Sequence, residues 1–323
     1  MAAVVIGRNE GARLTAALRS VQDAGLRVVY ADSGSSDGSP ETATKLDVPV
    51  INLDPKTPFS AGRGRNEGLE EAVRRWPEIA YILFLDGDCT LDPEFPSVAE
   101  STFQAHPECA IVTGHLSERF PDRSIYNRLC SIEWRSPPGV MTNMNSLGGI
   151  MAARISAFQS MGGFNLNAIA GEEPDLGLRL IAAGYSIIKI DAPMATHDAD
   201  IMRFGQWWKR AVRGGHALAY RYSQHGRSEG QRELISDLFW GVALPILILV
   251  LLWPTRGLSS LLLGGYLVFG WRVYRRYRSN SFSSADAALV TRFIIYGKFA
   301  HVVGIATFCL NWFRGEFRII EYK

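Results

Sequence analysis

The chain has 323 residues, 47% of them hydrophobic, and a formal net charge of +2. This length is enough for one large domain with an appendage, or for two modest domains. The charge lacks the strongly basic balance of nucleic-acid-binding proteins, so we predict no nucleic-acid partner.

The predicted elements of the N-terminal region are strands that alternate with helices. The strand at 81–85 is apolar on both faces, as in the middle of a parallel sheet. Further strands are predicted at 3–6, 26–31, 48–53, 148–153 and 186–190, and helices at 66–75, 172–180 and 204–222. The alternation indicates a doubly wound, Rossmann-like α/β fold with a mostly parallel sheet. The segment 118–146 is predicted to be a long loop or lid.

Polar loops follow three of these strands, directly after Ile6, Ala31 and Leu85. Ligands bind at the carboxyl ends of the strands in such sheets, so we expect the three loops to form one site. The last loop places Asp86 and Asp88 one residue apart. Two carboxylates at a strand end can hold a hard cation that binds a diphosphate. A solvated acidic turn has the same tripeptide, so the surrounding sequence must decide between the two.

Five motifs stand in order along the chain: VVIGRNEG from Val4, ADSGSSDGS from Ala31, GRGRNEG from Gly62, LFLDGDC from Leu83 and GEEPDLGLRL from Gly171. In their order and spacing they resemble the family 2 glycosyltransferases with a GT-A fold. The resemblance covers about residues 3–215. It implies a nucleoside diphosphate sugar as donor, with uridine as the expected base, and Mn²⁺ or Mg²⁺ as cofactor.

The resemblance also implies roles for single residues in donor binding. Asp32 is expected to contact the base or ribose, and Arg65 with Asn66 to lie near the diphosphate. The complete set of expected donor-binding residues is Asn9, Glu10, Asp32, Arg65, Asn66 and Asp86. Asp37 is expected to cap the helix that follows it.

Catalytic and metal-binding residues are carried over in the same way. The family usually has Glu-Asp where this chain has Glu172 and Glu173, and the second residue is the general base. Glu173 is therefore the expected base, with Glu172 as its alternative. Acidic residues also favour a helix N-terminus without any catalytic role. Asp86, Asp88 and His197 are the expected metal ligands, although a structural role for His197 stays open.

The residues after 225 differ in composition. Two apolar runs, 238–253 and 258–271, are each about 14–16 residues long, which is below the roughly 17–25 of a simple spanning helix. We predict a membrane hairpin over about 238–272, because Arg272, Arg275, Arg276 and Arg278 at its end fit a positive cytoplasmic side. A buried hairpin of a soluble domain is the alternative.

A third apolar stretch, 293–313, has polar residues on one helical face: Lys298, His301, Thr307, Asn311 and Arg314. This spacing favours an amphipathic helix in the membrane interface over a third span. The segment Gln206 to Arg210 permutes the Gln-x-x-Arg-Trp motif of processive family members, which argues against a polymer synthase. Its Trp207, Trp208, Lys209 and Arg210 would suit a membrane surface or a lipid diphosphate.

These patterns predict a catalytic domain over residues 1–225 and membrane-attachment helices over 226–323. The four scattered cysteines predict reduced thiols, and no signal peptide is visible, so we expect the catalytic domain on the cytoplasmic side. The expected reaction is inverting sugar transfer to a hydroxyl of a lipid-linked saccharide in cell-surface polysaccharide synthesis. A polyprenyl-phosphate glycosyltransferase, a sugar nucleotidyltransferase and a non-catalytic sugar-nucleotide-binding protein remain alternatives.

Overall fold

A computed structural model describes residues 1–226 and 229–315, which divide into two compact units. The first unit comprises residues 1–121 and 133–200, and the second comprises 122–132 and the chain from 201 onward. The second unit thus begins earlier than the predicted boundary at 225. The reason is that the helix Phe204–His225 packs along the helix Ser284–Arg314, with Trp207 and Phe293 in edge-on ring contact.

The elements are numbered in chain order. The N-terminal part contains β1 (Ala2–Gly7), α1 (Ala12–Asp23), β2 (Arg27–Asp32), α2 (Ser39–Lys45), β3 (Val50–Asn52), α3 (Ala61–Arg75), β4 (Tyr81–Asp86), β5 (Cys89–Leu91), α4 (Phe95–Ala105) and β6 (Cys109–Glu118). It continues with α5 (Ile125–Glu133), β7 (Gly139–Val140), β8 (Met151–Arg154), α6 (Ile155–Ser160), α7 (Glu172–Ala182) and β9 (Ser186–His197).

The strands form one mixed sheet in the order β3-β2-β1-β4-β8-β6-β9-β5, with β7 paired to β9. The α/β fold class is confirmed, but the sheet is not mostly parallel. The pairs β1–β2, β1–β4, β2–β3 and β6–β9 are parallel, and the pairs β4–β8, β5–β9, β6–β8 and β7–β9 are antiparallel. The chain leaves β1 toward β2 and β3 and returns on its other side as β4, so a topological switch point lies between β1 and β4.

Helix α3 lies unusually close to the sheet. A β-carbon at Gly68 would stand 2.3 Å from Val4 Cγ1, so only glycine allows this approach to β1. Val4 and Phe84 belong to the apolar cluster on that face of the sheet, and Val5 and Leu85 belong to the cluster on the opposite face. The close packing brings the N-terminal turns of α3 to the carboxyl ends of β1 and β4.

The predicted long loop over 118–146 contains a helix. Leu129, Cys130 and Ile132 in α5 are buried, and their spacing gives the helix one packed face. The sequence prediction was wrong here because Arg119 to Ser124 and Pro137 to Gly139 are turn-forming segments that flank a short helix.

The second unit is helical. It contains α8 (Phe204–His225), α9 (Gln231–Leu238), a π-helical turn (Phe239–Ala243), α10 (Leu244–Leu252), a 3₁₀ segment (Leu258–Leu263), α11 (Gly264–Ser279) and α12 (Ser284–Arg314). Two helical stretches, Gln231–Leu252 and Ser284–Arg314, are long and apolar enough to cross a membrane by length and composition. Only 17% and 33% of their most apolar windows are buried, unlike a core helix of a soluble domain.

The polar residues of α12 do not all form one outward face. Lys298 Nζ lies 2.7 Å from Asp237 Oδ1, and His301 Nδ1 lies 2.8 Å from Asp237 Oδ2. Asp237 is buried, so Lys298 and His301 contact it inside the second unit. Interfacial placement of 293–313 stays a prediction.

The predicted surface on α8 also needs a correction. Trp207 is buried against Phe293, because its ring lies on the face of α8 that packs on α12. Trp208 and Arg210 are half-buried, and Lys209 is exposed. A role for these residues in acceptor or membrane binding stays a prediction.

Candidate active site

The loop after β2 is organised by the carboxylate of Asp32. Its Oδ1 accepts hydrogen bonds from the Tyr30 hydroxyl at 2.7 Å and the Ser35 hydroxyl at 2.5 Å. Its Oδ2 accepts from the backbone N–H groups of Gly34 at 2.9 Å and Ser35 at 2.8 Å. Burial, and then the hydrogen bond and charge of Asp32, raise the pKa of Tyr30, so its hydroxyl keeps its proton. Asp32 therefore shapes this loop, and its contact with a nucleotide stays a prediction.

Asn9 joins the first loop to the second. Its backbone adopts a positive φ of 58°, which asparagine tolerates better than most residues. The Asn9 N–H donates to Ser35 Oγ at 2.9 Å, and Asn9 Oδ1 accepts from the Ser36 N–H at 2.7 Å. The neighbouring Glu10 pairs with Arg13 at 2.9 Å. These contacts join the first two motifs in one polar network, as the strand order predicts.

Asp37 accepts hydrogen bonds just before α2, but the N-cap position of this helix is Gly38, so Asp37 lies one residue before the predicted capping position. Its Oδ1 accepts from the backbone N–H of Ser39 at 3.0 Å and from the Ser39 hydroxyl at 2.6 Å. Its Oδ2 accepts from the Gly11 N–H at 2.9 Å. The hydrogen bond from Ser39 lowers the pKa of Asp37.

Arg65 of α3 lies among three carboxylates. Its Nη2 donates to Asp86 Oδ1 at 2.9 Å, and its Nη1 donates to Glu173 Oε1 at 3.0 Å. Glu172 Oε1 is 3.6 Å from the same Nη1. Burial by itself acts to lower the pKa of Arg65, but the charges of Asp86, Glu173 and Glu172 outweigh it and raise the pKa above its ordinary value. Arg65 is therefore a permanent cation at the centre of the predicted site.

The two neighbouring glutamates differ in exposure. Both lie in the first turn of α7, where the helix dipole favours negative charge. The Glu172 residue is 2% exposed, whereas the Glu173 side chain is 16% exposed. Asp175 of the same turn forms an ion pair with Arg179 at 2.9 Å. Of these three acids, Glu173 has the most exposed side chain.

Asn66 holds the loop that precedes α7. Its Nδ2 donates to the Phe164 carbonyl at 2.9 Å, and its Oδ1 accepts from the Phe164 N–H at 3.0 Å. Gly163 adjoins this clamp with a φ of +71°, and a β-carbon there would lie 2.7 Å from Asn66 Oδ1. The side chain thus fixes backbone geometry, and a direct contact of Asn66 with the donor stays a prediction.

A second group of polar side chains lies beside β9. The β5–β9 pairing places Cys89 opposite His197, and His197 Nε2 lies 3.3 Å from Asp88 Oδ1. Asp88, Cys89 and His197 each offer one potential metal-ligand atom, and these atoms lie within 4.8 Å of one another. Within residues 1–226 and 229–315, this group does not include Asp86, whose carboxylate contacts Arg65.

This group fits a divalent transition metal. A carboxylate is a ligand for Mn²⁺ and Mg²⁺, and an imidazole beside it favours Mn²⁺. Glu118 Oε2 lies 3.8 Å from His197 Nδ1, and the Trp134 ring packs edge-on against the imidazole at 4.8 Å. The 3.8 Å separation is longer than a hydrogen bond, so Glu118 is a neighbour of the imidazole and not its hydrogen-bond acceptor.

Several residues of the site were not identified from the sequence. Glu118 and Trp134 contact His197 but lie in a segment with no recognised motif. Phe164 lies under the Arg65 guanidinium at 5.5 Å, and Gly149 lies against the same group. The paired glycines Gly148 and Gly149, at the start of a predicted strand, were the one available signal of a close approach.

The mixed α/β sheet has the fold of the GT-A glycosyltransferases, and carboxylates lie at the ends of its strands. Residues 3–161 match the family model described as Glycosyl transferase family 2, so this part of the chain is a family 2 glycosyltransferase domain. The curated relatives include Glycosyltransferase AglJ of Haloferax volcanii, 26% identical over 151 residues, which are 46% of this chain and 42% of the relative. Another is Poly-beta-1,6-N-acetyl-D-glucosamine synthase of Staphylococcus epidermidis, 23% identical over 207 residues, which are 60% of this chain and 48% of the relative. The chain thus spans less than half the length of both relatives.

Solved structures show the same fold. Mannosyltransferase PcManGT from Pyrobaculum calidifontis, in complex with GDP-Man and Mn²⁺, superposes with a TM-score of 0.58 at 17% identity, over 96% of this chain and 87% of that one. S. aureus TarS 1-349 in complex with UDP-GlcNAc has a TM-score of 0.51 at 15% identity, over 98% and 93% of the two chains. At these identities the likeness establishes the fold alone.

Proposed function

We propose that this glycosyltransferase moves one sugar, with inversion, from a uridine diphosphate sugar to a hydroxyl of a membrane lipid-linked saccharide. The observation that carries the proposal is the cluster of Arg65 with Asp86 and Glu173 at the carboxyl end of β4. It places a carboxylate able to accept a proton beside the edge of the sheet at which α/β proteins bind nucleotides.

The proposed reaction is a single displacement. The acceptor oxygen bonds to the anomeric carbon of the sugar, and the bond from that carbon to the diphosphate oxygen breaks. The electron pair of the broken bond stays on the nucleoside diphosphate, and the acceptor proton goes to Glu173. Attack from the face opposite the leaving group inverts the anomeric centre. The half-exposed carboxylate of Asp86, beside Arg65, lies on the donor side.

Asp88 and His197 would hold the divalent metal, with Glu118 behind the imidazole. When bound, Mn²⁺ or Mg²⁺ supplies positive charge that offsets the negative charge of the leaving diphosphate. Buried Glu118 keeps its orientation because its carboxylate accepts from the backbone N–H groups of Phe120 at 3.1 Å and Ala199 at 3.2 Å. Glu118 thus lies in a fixed position beside His197, with Oε2 at 3.8 Å from Nδ1.

The acceptor assignment rests on the second unit. The stretches Gln231–Leu252 and Ser284–Arg314 are candidate membrane spans, and large apolar side chains such as Leu249 and Trp253 are exposed on the first and at its end. Exposed apolar surface of this extent favours a lipid environment. An enzyme attached to a membrane would meet a lipid-linked saccharide there, on the cytoplasmic side in our proposal. The name of one curated relative, a poly-N-acetylglucosamine synthase, is consistent with polysaccharide synthesis.

A thermal-shift screen of nucleotide sugars, each with Mn²⁺, Mg²⁺ or chelator, tests donor and metal together. A ligand that binds only the folded protein raises the melting temperature, so a UDP-sugar with Mn²⁺ should give the largest rise. The preferred donor is then offered to lipid-linked saccharides and to bare polyprenyl phosphate. Transfer only to the bare phosphate would overturn the proposed acceptor, and binding without any transfer would favour a sugar-nucleotide-binding protein.

A further inference from the structure

The guanidinium of Arg65 touches both halves of the proposed chemistry. One nitrogen, Nη2, contacts Asp86 at 2.9 Å, and the other, Nη1, contacts Glu173 at 3.0 Å. Asp86 is the last residue of β4 and Glu173 is the second residue of α7, so the two carboxylates lie on elements far apart in sequence. The two carboxylates therefore share a single rigid, planar cation.

The surroundings allow the guanidinium little freedom. Arg65 is 2% exposed, and the Phe164 ring lies 5.5 Å from its central carbon. A β-carbon at Gly149 would stand 1.8 Å from Nη2 and 2.9 Å from Glu173 Oε1, so the chain leaves room for the pair only because residue 149 is glycine. Buried Glu172 approaches from a third side. Packing and charge thus determine one position for the guanidinium.

We propose that Arg65 is a positioning residue that orients the general base Glu173 and couples it to the donor-side carboxylate Asp86. This inference rests on the proposed function and goes beyond it. The expectation from family resemblance was that Arg65 serves the diphosphate. In the structure its two terminal nitrogens bind protein carboxylates instead, so its principal effect should be on proton transfer to the base.

The chemistry requires such a residue. A base must be ionised and correctly oriented at the moment when the acceptor oxygen attacks. The hydrogen bond from Arg65 Nη1 to Glu173 Oε1 sets the plane of the carboxylate. A lysine keeps the positive charge but has no planar fork with which to bind two carboxylates. The Arg65→Lys variant therefore tests the geometry of the guanidinium while the charge is unchanged.

The test uses the full chain in detergent or lipid and measures transfer and donor binding separately. Arg65→Lys should lower kcat by at least about tenfold and change the donor Kd by less than about threefold. Arg63→Lys is the matched control. Arg63 lies on the same helix, is also buried, and binds Glu67 at 2.6 Å and the carbonyl groups of Asp54 and Thr57. The kcat of the Arg63→Lys variant should stay within about twofold of that of the unmodified enzyme.

A double-mutant cycle then decides whether Arg65 acts through the base. In a Glu173→Gln background, Arg65→Lys should lower transfer by less than about threefold further, because no base remains to be oriented. If the two losses multiply, Arg65 does not act through Glu173 and the inference is overturned. A large rise in donor Kd with unchanged kcat would also overturn it and would restore the diphosphate role.

A second variant covers the case in which Arg65→Lys does not fold. Gly149→Ala adds a methyl group against Nη2 and should displace the guanidinium without changing any charge. It should reproduce the loss of kcat with donor binding retained, and wild-type turnover by a folded Gly149→Ala enzyme would contradict the inference. Absence of transfer by the unmodified enzyme would refute the proposed function instead, so the two failures are distinguishable.

Discussion

Replacing Glu173 with glutamine keeps the size of the side chain, and the amide oxygen can still accept from Arg65 Nη1, which lies 3.0 Å from Oε1. The substitution removes the negative charge and the capacity to take the acceptor proton. A positioned general base contributes about 10²–10⁴-fold, which corresponds to roughly 3–5 kcal/mol of activation free energy. Transfer should therefore fall by about that factor, whereas donor affinity should hardly change.

Glu172→Gln is the matched control, because it makes the same chemical change one residue earlier in the chain. Glu172 is buried and lies 3.6 Å from Arg65, so its charge supports the arginine but cannot readily reach an acceptor. Its loss should lower transfer by less than about tenfold. The assay is sugar transfer to the acceptor, with donor hydrolysis to water measured separately. If Glu172→Gln is the more damaging substitution, the base is Glu172 and the reasoning from exposure is refuted.

Three further predictions concern the metal, the membrane and pH. Asp88→Ala should abolish metal-dependent binding of the nucleoside diphosphate in calorimetry and leave the melting temperature of the free protein nearly unchanged; undiminished binding would exclude this carboxylate as a ligand. Leu249 and Val250 are exposed on α10, and replacing both with glutamate should release the protein from membranes in a high-salt wash. Replacing two exposed residues of the first unit with glutamate should not release it. Burial, and then the charge of Arg213, lower the pKa of His216 to about 4 from its ordinary 6.5. Between pH 6.5 and pH 4 the His216 imidazole is protonated in the unfolded chain but not in the folded chain, so the free energy of unfolding should fall as the pH drops through this window. In thermal unfolding curves, the His216→Phe variant should lose about 3 kcal/mol of this pH-dependent change.

Much of the first half of the sheet was predictable from local patterns. The strands β1, β2 and β4 are short apolar runs that end in polar turns, and their parallel pairing follows from the helices between them. The second half was not predictable in the same way. Strand β8 pairs antiparallel with both β4 and β6, and no local property of Met151–Arg154 specifies these distant partners. Pairing between strands far apart in sequence depends on the packed fold as a whole.

The candidate site, like the sheet, was predictable from the sequence only in part. Motifs placed Asp32, Arg65 and Asp86 in one predicted site, and the structure brings Arg65 into hydrogen-bond contact with Asp86. Sequence could not show what each carboxylate contacts. Asp32 uses its oxygens on its own loop, and Asp86 faces Arg65 instead of joining Asp88 and His197. Such differences arise from side-chain packing, which has no periodic signal along the chain.

The choice between Glu172 and Glu173 shows what the structure adds to the family resemblance. Both acids suit a helix N-terminus, so propensity and dipole arguments treat them alike. The family position favours Glu173 only if the alignment has no shift of one residue. Burial is independent of the alignment: successive residues in the first turn of α7 point about 100° apart, so Glu172 is buried beside Arg65 while the side chain of Glu173 is partly exposed. A base must contact both its positioning cation and the acceptor, and of the two glutamates only Glu173 combines hydrogen-bond contact to Arg65 with partial exposure.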